Sequence, residues 1–134
     1  MIPNPRDVNL VIYHKNCTDG FGAAYSAWRL LGNRAEYIAC SHGEDPPDVK
    51  GKNVAICDFS FKNAVTKKMI DDAEALVILD HHKSAMVELH DIPDAICRQA
   101  VRWLGPQVDT WRHLTTVTVP LALPVETPAV RQAR

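Results

Sequence analysis

The sequence predicts an α/β domain: a doubly wound sheet of mostly parallel strands with helices on both faces. Three features lead there: short apolar runs of strand length, long connections between them, and one helical stripe of apolar residues. Parallel neighbours need crossovers of a dozen or so residues. The runs at 8–13 (VNLVIY), 35–39, 53–57 (NVAIC) and 75–79 (ALVIL) leave room for such crossovers.

The first run is rich in β-branched residues and stops at His14, after which a polar stretch leads to Gly20. From Phe21 the apolar residues Phe21, Ala24, Tyr25, Trp28 and Leu31 recur at helical spacing, and Gly32 is placed to end the helix. That stripe is expected to be core packing. A second short strand follows at 35–39, and 41–52, which holds Pro46 and Pro47, must be a surface connection. The third strand delivers Asp58, and Ser60 is expected to cap a helix over 61–73 with Ala64, Val65, Met69 and Ala73 on one side. Lys67 and Lys68 should lie on its solvated face. The fourth strand delivers Asp80.

Composition narrows the function. A chain of 134 residues, 46% apolar and 23% charged, suits one soluble globular domain. Its longest apolar runs are far shorter than the roughly twenty residues a membrane span needs, and the N-terminus lacks the pattern of a secretory leader. A net charge of −1 argues against gripping long duplex nucleic acid through a broad basic surface, while a small anionic ligand stays compatible. Cys17, Cys40, Cys57 and Cys97 show no C-x-x-C spacing, so free thiols in a reducing, cytoplasmic setting are expected, not a disulfide framework or zinc site. Composition changes near residue 98. From there the chain has no Lys, five Arg against Asp109 and Glu126, and a proline-rich end. A domain over 1–97 and an atypical tail over 98–134, truncated or disordered, are expected.

Polar clusters fall at the C-terminal ends of three predicted strands: His14 with Cys17 and Asp19, then Asp58, then Asp80 with His81 and His82. In a parallel sheet those ends share one edge, where ligands bind. An Asp at a strand end commonly does no more than cap the next turn, and a lone His is commonly packing. Three such clusters at one edge are harder to reduce to that. Imidazoles mixed with carboxylates suit Mn²⁺ or a similar ion, and a pair of ions roughly 3.5–4 Å apart can serve phosphoryl transfer to water.

The segments YHKNCTDGFGAA at 13–24, CDFS at 57–60 and LDHHK at 79–83 resemble, in order, the first three motifs of the DHH phosphoesterase superfamily. The likeness spans 8–92 and is strongest to the branch of oligoribonuclease-like and cyclic-nucleotide phosphodiesterase-like proteins. It implies a Mn²⁺-dependent phosphohydrolase, with Mg²⁺ or Co²⁺ as substitutes and one or two ions bound, acting on a nucleotide or short oligonucleotide. It implies further that His14, Asp19, Asp58 and His81 hold metal, with Asp58 bridging. His82 would contact the substrate phosphate, Asp80 would orient its neighbours, and Lys83 or Lys15 would add a point charge. Two departures stand out. Cys17 sits where many members have an acid, and the members' fourth motif, with a further metal-binding Asp, and C-terminal substrate domain have no match; Asp109 comes too early. The alternatives are a catalytically incomplete remnant that binds metal or nucleotide, and a pyrophosphatase or polyphosphatase.

Overall fold

A computed structural model describes residues 3–93 and 96–99; Asp109 and the rest of the tail over 100–134 lie outside the described residues. The elements run β1 (Leu10–His14), α1 (Thr18–Leu31), β2 (Glu36–Cys40), β3 (Asn53–Cys57), α2 (Asn63–Asp72), β4 (Ala75–Asp80), α3 (Lys83–Glu88) and β5 (Cys97–Gln99). They build an α/β fold whose sheet has the order β2-β1-β3-β4-β5. Every strand pair is parallel. Tyr13 pairs with Cys57, and Cys57 with Leu79, so β1, β3 and β4 end level with one another.

The strands are apolar on successive residues because both of their sides are covered. Leu10, Ile12, Ile56 and Ile78 join a cluster with Met69 of α2 and Leu89 just past α3. Val11, Ala55 and Cys57 join a second cluster with Ala23, Ala27 and Leu30 of α1. Each large aliphatic side chain so buried contributes roughly 1.5–3 kcal/mol.

Two expectations about the helices are corrected. Helix α1 starts three residues before Phe21, and it turns small residues to the sheet: Gly20, Ala23, Ala24 and Ala27 are buried. Phe21 is 69% exposed, and Tyr25 and Trp28 are also exposed, with their rings stacked. The stripe therefore mixes two sides of the helix, because periodicity alone favours large apolar residues over the small ones that let a helix approach a sheet closely. Helix α2 is not capped by Ser60. It begins after Lys62, which makes no side-chain cap, and the first amide, Asn63 N–H, donates to Glu88 Oε1 of α3 at 2.9 Å. A long-range carboxylate thus satisfies the donor that a local hydroxyl was expected to take. Val65 and Ala73 pack against the core beside Met69, while Ala64 is exposed. Lys67 and Lys68 are solvent-facing but paired, with Asp91 and Asp72.

The junction between α2 and the segment after α3 has a pH signature. Asp91 receives Asn63 Nδ2–H at 2.6 Å and pairs with Lys67 Nζ at 2.5 Å. Hydrogen bonds from Lys67 and then Asn63 hold its carboxyl down to about 2. A carboxyl more acidic in the folded chain stabilises the fold above its ordinary value and loses that contribution as pH falls through its folded value. The stabilisation is thus present above the ordinary 3.8 and is lost as pH falls through about 2. Replacing Lys67 by Met should move the Asp91 titration, followed by NMR, up toward the ordinary range; an unmoved titration would refute the pairing.

Among the described residues, no helix is long and apolar enough to cross a membrane.

Candidate metal centre

The edge at which β1, β3 and β4 end gathers His14, Cys17, Asp58, Asp80, His81 and His82. Each arrives by its own local device. His14 is the last residue of β1. Asn16 then takes a left-handed backbone at φ 54°, which Asn tolerates better than most residues, and this turns the chain into α1. Cys17 occupies the N-cap of α1 in extended backbone, but its side chain makes no cap. Its Sγ–H donates instead to Asp58 Oδ2 at 3.3 Å.

Asp58 follows β3 directly. Its N–H donates to the Leu79 carbonyl at 2.9 Å, and its φ of 56° swings the carboxylate into the centre, where it is only 1% exposed. The two carboxylate oxygens face different neighbours. Oδ2 lies 3.8 Å from His14 Nδ1 and 3.3 Å from Cys17 Sγ, whereas Oδ1 lies 3.5 Å from His81 Nε2 and 4.0 Å from His82 Nδ1. His14, Cys17 and Asp58 form one group of possible ligand atoms mutually within 4.8 Å; Asp58, His81 and His82 form another.

Asp80 is buried at the end of β4 and accepts backbone N–H groups from His81 at 2.8 Å and His82 at 3.3 Å. His82 Nδ1 lies 2.6 Å from the same Oδ1. Burial pushes the Asp80 carboxyl up, but the His82 hydrogen bond and charge and the two backbone donors outweigh it, leaving the pKa lowered. The His82 pKa is raised, first by its bond to Asp80, against the opposing effect of burial, with Asp58 and Asp19 adding attraction. An ionised Asp80 accepts, so Nδ1 carries the proton and Nε2 is the nitrogen left for a ligand.

The donor set fits a divalent cation. For bond lengths of roughly 2.0–2.3 Å and a tetrahedral angle, ligand atoms sit about 3.3–3.8 Å apart, close to the spacings around Asp58. The His14 Nδ1 atom is buried and has no hydrogen-bond partner among the described residues, as a nitrogen meant for an ion would.

Not every residue singled out in the sequence joins these groups. Asp19 lies in the first turn of α1 and acts on His82 through its charge, but belongs to neither ligand group. Lys15 is paired with Glu44 at 2.9 Å, while Lys83 is exposed at the start of α3. Of Cys40 and Cys57, expected to be free buried thiols, both are so; burial, then the charges of Asp58 and Asp80, push Cys57 up to about 12. His42 went unremarked in the sequence. It follows β2 at the same edge, and its ring stands 5.4 Å from that of His14 and 4.9 Å from that of Phe59. The strand-end rule that selected His14 would have found it had β2 been given the same scrutiny.

Gly20 locks α1 onto this edge. A Cβ there would collide with the His14 carbonyl oxygen and crowd its Cβ. Gly20→Ala should cost about 1–3 kcal/mol in a urea melt and loosen the Cys17 side of the centre. An unchanged midpoint would show that α1 does not press on β1 so closely.

What fold and site define together is an α/β domain with a His, Cys and Asp cluster at the C-terminal edge of a parallel sheet. The chain is similar to uncharacterized protein R106 of Acanthamoeba polyphaga mimivirus, at 34% identity over 107 residues, an alignment covering 68% of this chain and 25% of that protein. The chain thus spans about a quarter of the length of that relative. No family model matches it, and no solved structure matches it.

Proposed function

We propose that this domain is a divalent-metal-dependent phosphohydrolase that cleaves phosphoester bonds in nucleotides or short oligonucleotides. The observation that carries the reading is the two-sided Asp58 carboxylate, with one oxygen toward His14 and Cys17 and the other toward His81 and His82. A carboxylate so placed suits a bridge between two ions. Mn²⁺, with Mg²⁺ or Co²⁺ as substitutes, would supply Lewis acidity there, neutralising phosphoryl oxygens and acidifying the attacking water.

The chain's own residues divide the remaining work. His14, Asp58 and His81 would hold the cofactor. Asp80 fixes the His82 ring through Nδ1 and raises its pKa, which favours the imidazolium, whose Nε2–H can donate to a phosphoryl oxygen, and makes His82 a phosphate contact more than a ligand. Lys83 adds an exposed positive charge nearby, whereas Lys15 is occupied by Glu44. The substrate is small, because the net charge of −1 gives little purchase on a long polyanion. The likeness of the three sequence segments to DHH phosphoesterases supports the same chemistry.

A second reading has its own support. Asp19 stands outside both ligand groups, which fits a domain that holds metal or nucleotide without turning it over. One experiment separates the readings: Mn²⁺-titrated hydrolysis of a labelled dinucleotide by the 134-residue chain, with bound metal measured on the same sample. Mn²⁺-dependent cleavage is expected. Bound metal without cleavage would favour the holding domain, orthophosphate from pyrophosphate alone would make the enzyme a pyrophosphatase, and no bound metal would overturn both enzyme readings and leave only a nucleotide-holding domain.

A further inference from the structure

The geometry points to a centre with two chemically unequal halves, in which Cys17 supplies a thiolate ligand and makes its half selective for a thiophilic divalent ion such as Zn²⁺, Fe²⁺ or Co²⁺. This inference rests on the metal reading of the site and adds to it which residue ligates and which class of ion it takes.

The argument starts from the donor atoms. One half offers an imidazole nitrogen, a sulfur and a carboxylate oxygen from His14, Cys17 and Asp58; the other offers nitrogen and oxygen alone. Thiolate ligands favour zinc, cobalt and iron over manganese and magnesium, whose preference is for oxygen. Sγ is not merely nearby. It lies 3.3 Å from Asp58 Oδ2, against about 3.5 Å expected for sulfur and oxygen sharing one tetrahedral ion.

The backbone also commits Cys17 to this role. An N-cap side chain ordinarily turns back to its own helix. Cys17 caps nothing and reaches across to Asp58, just past β3. The close seat of Gly20 on His14 holds that end of α1 in place. Cys40 and Cys57 are differently situated: both are buried and belong to neither ligand group. On ion binding the Cys17 proton leaves to solvent and the sulfur donates its pair to the metal.

The test is spectroscopic and needs no turnover. Co²⁺ is titrated anaerobically into the metal-free 134-residue chain and into Cys17→Ser, with bound cobalt counted in both. The wild type should develop a near-ultraviolet thiolate-to-cobalt charge-transfer band that Cys17→Ser lacks, although the other cysteines remain. Competition should show the preference for Zn²⁺ over Mn²⁺ falling roughly tenfold or more in Cys17→Ser and in Cys17→Asp. Bound cobalt without the band, or the same band in Cys17→Ser, overturns the thiolate ligand while leaving the metal reading intact. A wild type that binds no cobalt overturns both.

Discussion

Asp58→Asn should bind neither ion and lose Mn²⁺-dependent hydrolysis by a thousandfold or more, about 4 kcal/mol of transition-state stabilisation. The substitution isolates the charge. Asparagine tolerates the left-handed backbone that Asp58 adopts at φ 56° about as well as aspartate does, so the turn after β3 survives. Asp58 is common to both ligand groups, and its two oxygens face different members of them. Its loss therefore cannot be confined to one ion, in contrast to His14→Ala or His81→Ala. Metal content equal to that of the wild type would refute the bridging assignment.

Phe59→Ala should be the costliest change in the fold, at about 3–5 kcal/mol in a denaturant melt. Phe59 is among the largest fully buried side chains. Its ring meets Phe61 at 4.8 Å between centroids, His42 at 4.9 Å and His14 at 5.6 Å. Removing it opens a cavity directly behind His14, so metal affinity should fall by roughly ten- to a hundredfold as that imidazole loses its support. Phe59→Leu keeps much of the volume and should retain most of the stability. A Phe59→Ala protein of normal stability would show that the ring is not part of the packed core.

The strands that present the site were legible because burial from both sides leaves a continuous apolar run, and each such run ended at a polar cluster. The run at 53–57 matches β3 residue for residue, and Gly32 follows α1 as expected. The start of α1 was hidden. Thr18, Asp19 and Gly20 carry no apolar signal, and what anchors that turn is the absence of a side chain at Gly20. Which side of α1 faces the sheet was also misread, since alanines buried against β1 and β3 weigh little beside Phe21, Tyr25 and Trp28. The partner of Asn63 lies 25 residues away on Glu88, and no local rule reaches that far. At the site, residue types and strand ends identified His14, Asp58, Asp80, His81 and His82. The orientation of Cys17 toward Asp58 required coordinates, because an N-cap position by itself sends a side chain elsewhere.

The level ends of β1, β3 and β4 tie the centre to sheet registration. Asp58 meets His14 across 44 residues of chain and His81 across 23, so no local segment can assemble the ligand groups before the strands have paired. Such long-range pairing is slow relative to helix formation. A slip of β3 by one position would carry Cys57 or Phe59 to the place of Asp58 and turn every inward side chain of that strand outward. An ion that binds only the paired state stabilises it by mass action. Metal capture by this domain would thus proofread its own strand alignment, rewarding the one register that brings both oxygens of Asp58 to the edge.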